Sequence, residues 1–74
     1  MLAMRPDCER CGVDLPPDEG GALICSFECT FCDPCAGSMA GICPNCGGDL
    51  VARPLRVGDA LARNPADTQR RYAG

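Results

Sequence analysis

The stretch from Cys25 to Cys35 reads CSFECTFCDPC and places four cysteines within eleven residues. One further pair precedes this stretch and another follows it, so the chain carries eight cysteines in four closely spaced pairs. Two or three residues separate the members of each pair, which is typical of metal-binding turns. In chain order the pairs are Cys8/Cys11, Cys25/Cys29, Cys32/Cys35 and Cys43/Cys46.

The chain needs a stabilising device beyond its apolar core. It has 74 residues, with two Phe, one Tyr and no Trp. Domains of this size gain little stability from apolar burial alone and usually depend on metals or disulfides. We expect one small apolar cluster, with the rings of Phe27 and Phe31 packed between two metal sites. Its expected members are Leu15, Leu23, Ile24, Phe27, Phe31, Met39, Ile42, Leu50, Val51 and Leu55.

The sequence also indicates which device stabilises the chain. The N-terminus lacks the apolar segment of a secretory signal, and no stretch approaches the roughly 20 apolar residues of a membrane span. We therefore expect a cytoplasmic protein without membrane association, in which thiols stay reduced and cysteine pairs bind metal. Because the chain has no His, we predict two zinc ions with four cysteine ligands each. An iron–sulfur cluster on the run Cys29–Cys35, or disulfides, are the alternatives.

The first and last cysteine pairs have the sequence of the turns known as zinc knuckles. A Gly follows the second cysteine of each pair, at Gly12 and Gly47. Gly tolerates the positive φ angle that such a turn requires. We therefore expect each of these turns to present two thiolates to one metal.

The residues around the central stretch predict a small sheet. The apolar run 22–25 follows a Gly-Gly turn and predicts a strand, and residues 29–32 are its expected hairpin partner. A third strand is expected at 49–53, and Pro54 should stop it or place it at a sheet edge.

A short helix is expected after the hairpin. Pro34 suits its first turn, Asp33 can cap it, and Gly41 should end it. The predicted fold class is therefore a small metal-stabilised α+β fold with a short β-hairpin and one short helix.

The end of the chain differs in charge from the rest. Residues 50–74 carry five of the seven Arg residues, and Lys is absent. We predict a zinc-binding domain over residues 1–57 and an Arg-bearing C-terminal tail over 58–74. A short helix is expected at 58–63, and the remainder of the tail is expected to be disordered.

The four cysteine pairs can share two metals in three ways. Only two residues separate Cys29 from Cys32, so the second and third pairs cannot easily close around one metal. The first pair therefore joins either the second pair or the third.

The cysteine spacing resembles that of RING-type cross-brace domains. It reads C-x2-C-x13-C-x3-C-x2-C-x2-C-x7-C-x2-C and spans residues 8–46. Phe31 and Pro44 also stand at positions where such domains carry an aromatic residue and a Pro, whereas Cys29 replaces a usual His. The resemblance implies a RING-like or treble-clef-like fold with alternating pairs. It assigns one zinc to Cys8, Cys11, Cys32 and Cys35, and the other to Cys25, Cys29, Cys43 and Cys46.

The chain is also similar to a small bacterial cysteine-rich family. This similarity covers about residues 1–65 and rests on the segments MRP, LPP, ICSFECTFC and CPNCGGDLVARP. That family is described as zinc-binding and of unknown function. The resemblance therefore implies metal binding and nothing more specific.

These features favour a structural zinc module that mediates protein–protein interaction, and they disfavour an enzyme. A zinc ion closed by four thiolates has no position for water, and no Ser or Thr has an adjacent base. A ubiquitin-ligase role is disfavoured because Arg10 stands where RING ligases carry an apolar residue.

The alternative function is nucleic-acid binding through the Arg-bearing tail. Two zinc sites with four thiolates each would take the formal net charge from −3 to about −7. This negative charge and the scarcity of aromatic residues for stacking on bases count against the alternative.

Overall fold

Three short strands form an antiparallel sheet at the centre of the fold. They are β1 (Ala22–Ile24), β2 (Thr30–Cys32) and β3 (Val51–Ala52), in the order β2-β1-β3. Two helices complete the architecture: α1 (Asp33–Ser38) follows β2, and α2 (Gly58–Arg63) follows β3. The computed structural model describes residues 4–70. The chain has the small α+β fold that the sequence predicts, with two clusters of cysteines.

The β1–β2 hairpin carries the central cysteines. Leu23 lies opposite Phe31 and Ile24 opposite Thr30, which confirms the predicted pairing. The connecting loop is closed by a hydrogen bond from the Glu28 N–H to the Cys25 carbonyl oxygen (3.0 Å). Glu28 adopts a φ of +65°, which is uncommon for a residue with a side chain. This tight loop places Cys25 and Cys29 next to each other at one end of the hairpin.

Helix α1 begins directly after β2. Pro34 lies in its first turn as predicted, because the fixed φ of Pro suits that position. Asp33 was expected to cap the helix, but this prediction is wrong: Cys32 is the N-cap residue and Asp33 is the first helical residue. The cap carries no side-chain hydrogen bond. Gly41 closes the other end with φ +73° and donates its N–H to the Ala36 carbonyl oxygen (2.9 Å).

Strand β3 forms one edge of the sheet, and both of its side chains are exposed. Pro54 lies two residues beyond β3, as expected for a strand that ends at an edge. Between them, the Arg53 N–H donates to the Ala22 carbonyl oxygen over 2.9 Å and extends the contact with β1.

The Arg53 side chain is buried and joins three segments of the chain. Its guanidinium donates to the carbonyl oxygens of Arg5 (2.9 Å), Leu15 (3.0 Å) and Pro16 (3.1 Å). Burial, and secondarily the charge of Arg56, lowers the pKa of Arg53. A buried cation is costly unless its donors are satisfied. These three bonds therefore hold the N-terminal segment and the 15–16 loop against the end of β3.

The core is smaller than the sequence suggests. Leu15, Phe31 and Leu50 are buried with the cysteines as predicted, and Met4 is buried as well. The prediction that Phe27 packs in the core is wrong, since its ring is 71% exposed. Its backbone N–H points at Cys25 Sγ (3.3 Å), while its side chain projects outward. The other exposed residues that were expected in the core are Ile42, Val51 and Leu55.

Helix α2 lies where the sequence predicts it, at Gly58–Arg63. Residues 64–70 form neither helix nor strand, and they contact the N-terminal segment through a hydrogen bond from the Asp67 N–H to the Met4 carbonyl oxygen (2.9 Å). The last part of the segment predicted to be disordered, residues 71–74, lies outside the described residues. The domain boundary at residue 57 stays a prediction. Within residues 4–70, the helices are too short or too polar to span a bilayer.

Candidate metal centres

Two short hairpins with the same hydrogen-bond pattern present the first and last cysteine pairs. In each, the N–H of the first cysteine donates to the carbonyl oxygen five residues later, and the N–H of the Gly donates back to that cysteine. For Cys8 the partners are Val13 and Gly12 (both 2.9 Å), and for Cys43 they are Gly48 (2.8 Å) and Gly47 (2.9 Å).

The two glycines of these hairpins have the positive φ that was predicted, +80° at Gly12 and +76° at Gly47. An isolated β-bridge closes each hairpin at equivalent positions, Asp7 with Asp14 and Ile42 with Asp49. The two knuckles are thus the same local structure, used twice.

The first knuckle is attached to the central sheet beside Cys32. The Glu9 N–H donates to the Thr30 carbonyl oxygen (3.0 Å), and the Thr30 N–H donates to Glu9 Oε2 (3.0 Å). Arg5 pairs with the same carboxylate. These bonds occupy the outer edge of β2 and bring the Cys8/Cys11 turn against the start of α1.

The first cysteine cluster contains four sulfurs. The Sγ atoms of Cys8, Cys11, Cys32 and Cys35 all lie within 4.8 Å of one another. The Cys11 and Cys32 sulfurs are 3.7 Å apart. Metal–sulfur bonds of about 2.3 Å in a tetrahedron require sulfurs about 3.8 Å apart. The spacing therefore fits a tetrahedral ion bound by four thiolates.

The thiols of the first cluster differ in acidity. Burial opposes the charge of Cys8, but the backbone N–H groups of Cys32, Cys11 and Arg10 together lower its pKa from 9.0 to about 7. The Arg10 N–H lies 3.4 Å from Cys8 Sγ. Burial raises the pKa of Cys32 to about 12. A cation in the cluster would favour the thiolate form of every member.

Arg10 supplies a positive charge beside this cluster. Its guanidinium donates to Cys35 Sγ over 3.6 Å, and this bond, together with the negative charge on Cys35, raises the pKa of Arg10. A divalent ion bound by four thiolates carries a net charge of about −2, which Arg10 partly offsets. Arg10 stands between two predicted ligands, Cys8 and Cys11, and its position in the sequence predicted only that it disfavours a ligase interface.

The C-terminal segment closes over the first knuckle through Arg70. Its guanidinium donates to Asp14 Oδ1 and to the Gly12 carbonyl oxygen (both 2.7 Å), and it lies 3.6 Å from an oxygen of the buried Asp7. The bond to Asp14 raises the pKa of Arg70. One cation thus offsets two carboxylates that face each other across the β-bridge at the base of the knuckle.

The second cysteine cluster contains three sulfurs. The Sγ atoms of Cys25, Cys43 and Cys46 lie within 4.8 Å of one another. Burial opposes the charge of Cys25, but the backbone N–H groups of Phe27 and Cys29 and further thiol contacts lower its pKa to about 7. Cys46 is exposed, and the Gly48 N–H donates to its sulfur over 3.4 Å.

Cys29 lies beside the second cluster but is not part of this convergent group. Its side chain is buried, and Asn45 Nδ2 donates to its sulfur over 3.5 Å. Burial raises the pKa of Cys29. Of the four cysteines that the RING resemblance assigns to this site, the structure brings three together and holds the fourth nearby.

Both clusters have donor sets that could hold metal ions. Sulfur ligands suit zinc, copper(I) and iron. Backbone N–H groups point at the sulfurs in both, as anionic thiolates require. The N–H···S donors Arg10 and Asn45 were not predicted, since each reads only as the variable residue of a Cys-x2-Cys pair. The roles of Arg53 and Arg70 in joining distant segments were not predicted either, because no local pattern marks them.

The fold and the clusters define a small cysteine-rich α+β protein with two sites able to hold metal ions. The chain belongs to the family described as "Protein of unknown function (DUF1272)", whose profile matches residues 1–56. An uncharacterised protein of Rhizobium meliloti (strain 1021) is 58% identical over 71 residues, which are 95% of this chain and 84% of that protein. These matches confirm the resemblance to a bacterial family of unknown function. No solved structure matches this chain.

Proposed function

We propose that the chain is a structural module that binds two zinc ions in a RING-like cross-brace and presents a surface to another protein in the cytoplasm. The proposal includes no catalytic activity, because four thiolates leave zinc no position for water. One zinc is held by Cys8, Cys11, Cys32 and Cys35. The other is held by the remaining cysteines, Cys25, Cys29, Cys43 and Cys46.

The observation that carries the proposal is the convergence of four sulfurs contributed by two distant pairs. Cys8 and Cys11 meet Cys32 and Cys35 within 4.8 Å. Four free thiols would gain nothing from this arrangement, whereas a metal with four ligands requires it. Zinc is the ion proposed, because all-cysteine tetrahedral sites without redox chemistry are typical of structural zinc.

The partner surface lies between the two knuckles. A groove of about 350 Å³ runs there, with walls from both knuckles and a floor formed by Phe31. Phe27 projects from the loop of the second cluster and is 71% exposed. Aromatic residues are enriched in protein–protein contacts, so the groove and the exposed Phe27 ring are proposed as parts of the partner surface. The groove is lined by Glu9, Arg10, Phe31, Met39, Pro44 and Asn45.

Native mass spectrometry of the purified protein tests the metal part of the proposal. We expect two zinc ions per chain and unfolding when a chelator removes them, because metal binding and folding are coupled in such domains. A chain that carries one ion, or that stays folded without metal, would contradict it.

Replacing Phe27 with Ser tests the partner surface. Because the ring is largely exposed, zinc content and melting temperature should stay unchanged while cross-linking to the cellular partner is lost. Thr68→Ala, a change at an exposed tail residue, is the matched control and should retain the cross-link. Equal cross-linking by both variants would show that Phe27 is not part of the interface.

Nucleic-acid binding through the Arg-bearing tail is the weaker candidate. Arg53 uses its donors on backbone carbonyls, and Arg70 is paired with carboxylates. Both are therefore less available for phosphates. A gel shift that weakens steeply with salt would favour this candidate, and no shift at low salt would end it.

A further inference from the structure

The two clusters are not equally prepared for a metal ion. In the first, all four sulfurs converge, and Cys11 and Cys32 already have tetrahedral spacing at 3.7 Å. In the second, Cys29 is more than 4.8 Å from at least one of the other sulfurs, although its neighbour Cys25 belongs to the group. The difference concerns one side chain in one loop.

Asn45 is hydrogen-bonded to the Cys29 thiol. Its Nδ2 donates to Cys29 Sγ over 3.5 Å, and Asn45 itself lies between Cys43 and Cys46. The turn that supplies two sulfurs of the second cluster therefore also binds the sulfur that stands apart. This amide is neutral, whereas the side-chain donor to the first cluster is the charged guanidinium of Arg10.

The backbone around Cys29 is held in place. The Cys25 N–H donates to the Cys29 carbonyl oxygen (3.2 Å), and the Thr30 hydroxyl donates to the Glu28 carbonyl oxygen (3.0 Å). Glu28 keeps its left-handed φ of +65° within this loop. The Cys29 thiol therefore approaches the other sulfurs by rotation of its side chain, with little change in the loop.

From this asymmetry we propose that the two metals differ in permanence. The first cluster holds a permanent structural ion. The second cluster holds an exchangeable ion, with Cys25, Cys43 and Cys46 as its firm ligands. Cys29, whose thiol is hydrogen-bonded by Asn45, is the weakest of its four ligands. This inference rests on the proposed two-zinc function and adds that metal enters and leaves through the second site.

Release of zinc to a chromophoric chelator tests the inference. The fully loaded protein should lose its two ions in two phases that differ by at least about tenfold in rate, since groups around metal ligands typically change metal affinity by about 10–100-fold. Cadmium loading with 113Cd NMR identifies the ion that leaves first. Loss of both ions at one rate, or earlier loss from the first cluster, would overturn the inference.

Three variants test whether Cys29 and Asn45 cause the difference in release rate between the two ions. Asn45→Ala frees Cys29 and should slow the fast phase about tenfold while leaving the slow phase unchanged. Cys29→Ser should change the rate of the fast phase by less than about threefold. The matching variant in the first cluster, Cys35→Ser, should abolish the slow phase. A faster fast phase in Asn45→Ala would show that the amide supports ligation by Cys29 and would refute the proposal.

Metal content tests the proposed function, and the release rates test this inference. Fewer than two ions per chain in the native protein would contradict the proposed function, whatever the release rates are. Two ions that leave together would leave the zinc module intact and overturn only the difference in permanence. Cobalt absorption of the slow site should be the same in the wild type and Asn45→Ala, which checks that the variant is folded.

Discussion

Replacing Arg53 with Met removes a buried guanidinium while keeping most of the apolar stem of the side chain. The variant leaves the carbonyl oxygens of Arg5, Leu15 and Pro16 without their donor. We expect a large loss of stability, because this one side chain joins the N-terminal segment and the 15–16 loop to the end of β3.

The magnitude follows from the three bonds. Hydrogen bonds to a charged group contribute about 1.5–3 kcal/mol each. They are not additive, and freeing the side chain returns about 2 kcal/mol of rotamer entropy. We therefore expect a net loss of about 3 kcal/mol, which for a domain of this size lowers the melting temperature by about 15 °C. The melting temperature of Arg53→Lys should lie between those of the unchanged protein and Arg53→Met, since an ammonium cannot reproduce the planar fork of donors.

Thermal unfolding at fixed free zinc measures this effect, because bound metal adds to the apparent stability. Arg63→Met, at the exposed end of α2, is the matched control and should change stability by less than about 0.5 kcal/mol. If Arg53→Met unfolds at the same temperature as Arg63→Met, the three carbonyls do not depend on the guanidinium. The structural role assigned to Arg53 would then be refuted.

Three further predictions concern the clusters. The metal-free chain is expected to be unfolded, so its eight cysteines start near the ordinary thiol pKa of about 8.5. Zinc binding should therefore release close to eight protons at about pH 7 and fewer as the pH rises through about 8.5, measured by calorimetry in buffers of different ionisation enthalpy. Gly47→Ala places a side chain at φ +76° and should lower the free energy of unfolding by about 1–2 kcal/mol. Gly37→Ala, within α1, should raise it by up to about 1 kcal/mol. Chemical unfolding of the two variants measures both changes. Arg70→Gln should lower the melting temperature at low salt and not at about 0.5 M salt, where exposed ion pairs are screened; a loss equal at both salts would contradict the electrostatic role.

Much of the local structure follows from sequence because its causes are local. The strands at 22–24 and 30–32 and the helix at 58–63 form where apolar pattern and turn residues indicate them. Gly12 and Gly47 adopt positive φ because a knuckle turn requires it. Asp33 shows the limit of this reasoning. Strand β2 ends at Cys32, which is the N-cap residue, so Asp33 is already the first residue of α1.

The exposure of apolar side chains was harder to predict. Phe27 reads as a core residue in a chain with two Phe, yet the short loop between Cys25 and Cys29 turns its backbone toward the sulfur and its ring toward solvent. Arg53 shows the converse, because an Arg near the end of a strand reads as exposed but is buried here. Both outcomes depend on which segments pack around the residue.

The sequence by itself determined the kind of protein: four cysteine pairs in a chain too short for a large core, with turns, strands and helices set by neighbouring residues. It left two ways of grouping those pairs. Only the tertiary structure decided which sulfurs converge, because the β1–β2 hairpin and the bonds between Glu9 and Thr30 bring the first knuckle to Cys32 and Cys35. It also placed the Cys29 thiol beside its cluster, with a hydrogen bond from Asn45. Contacts between residues far apart in the chain depend on how whole elements pack, and spacing along the sequence does not encode that directly.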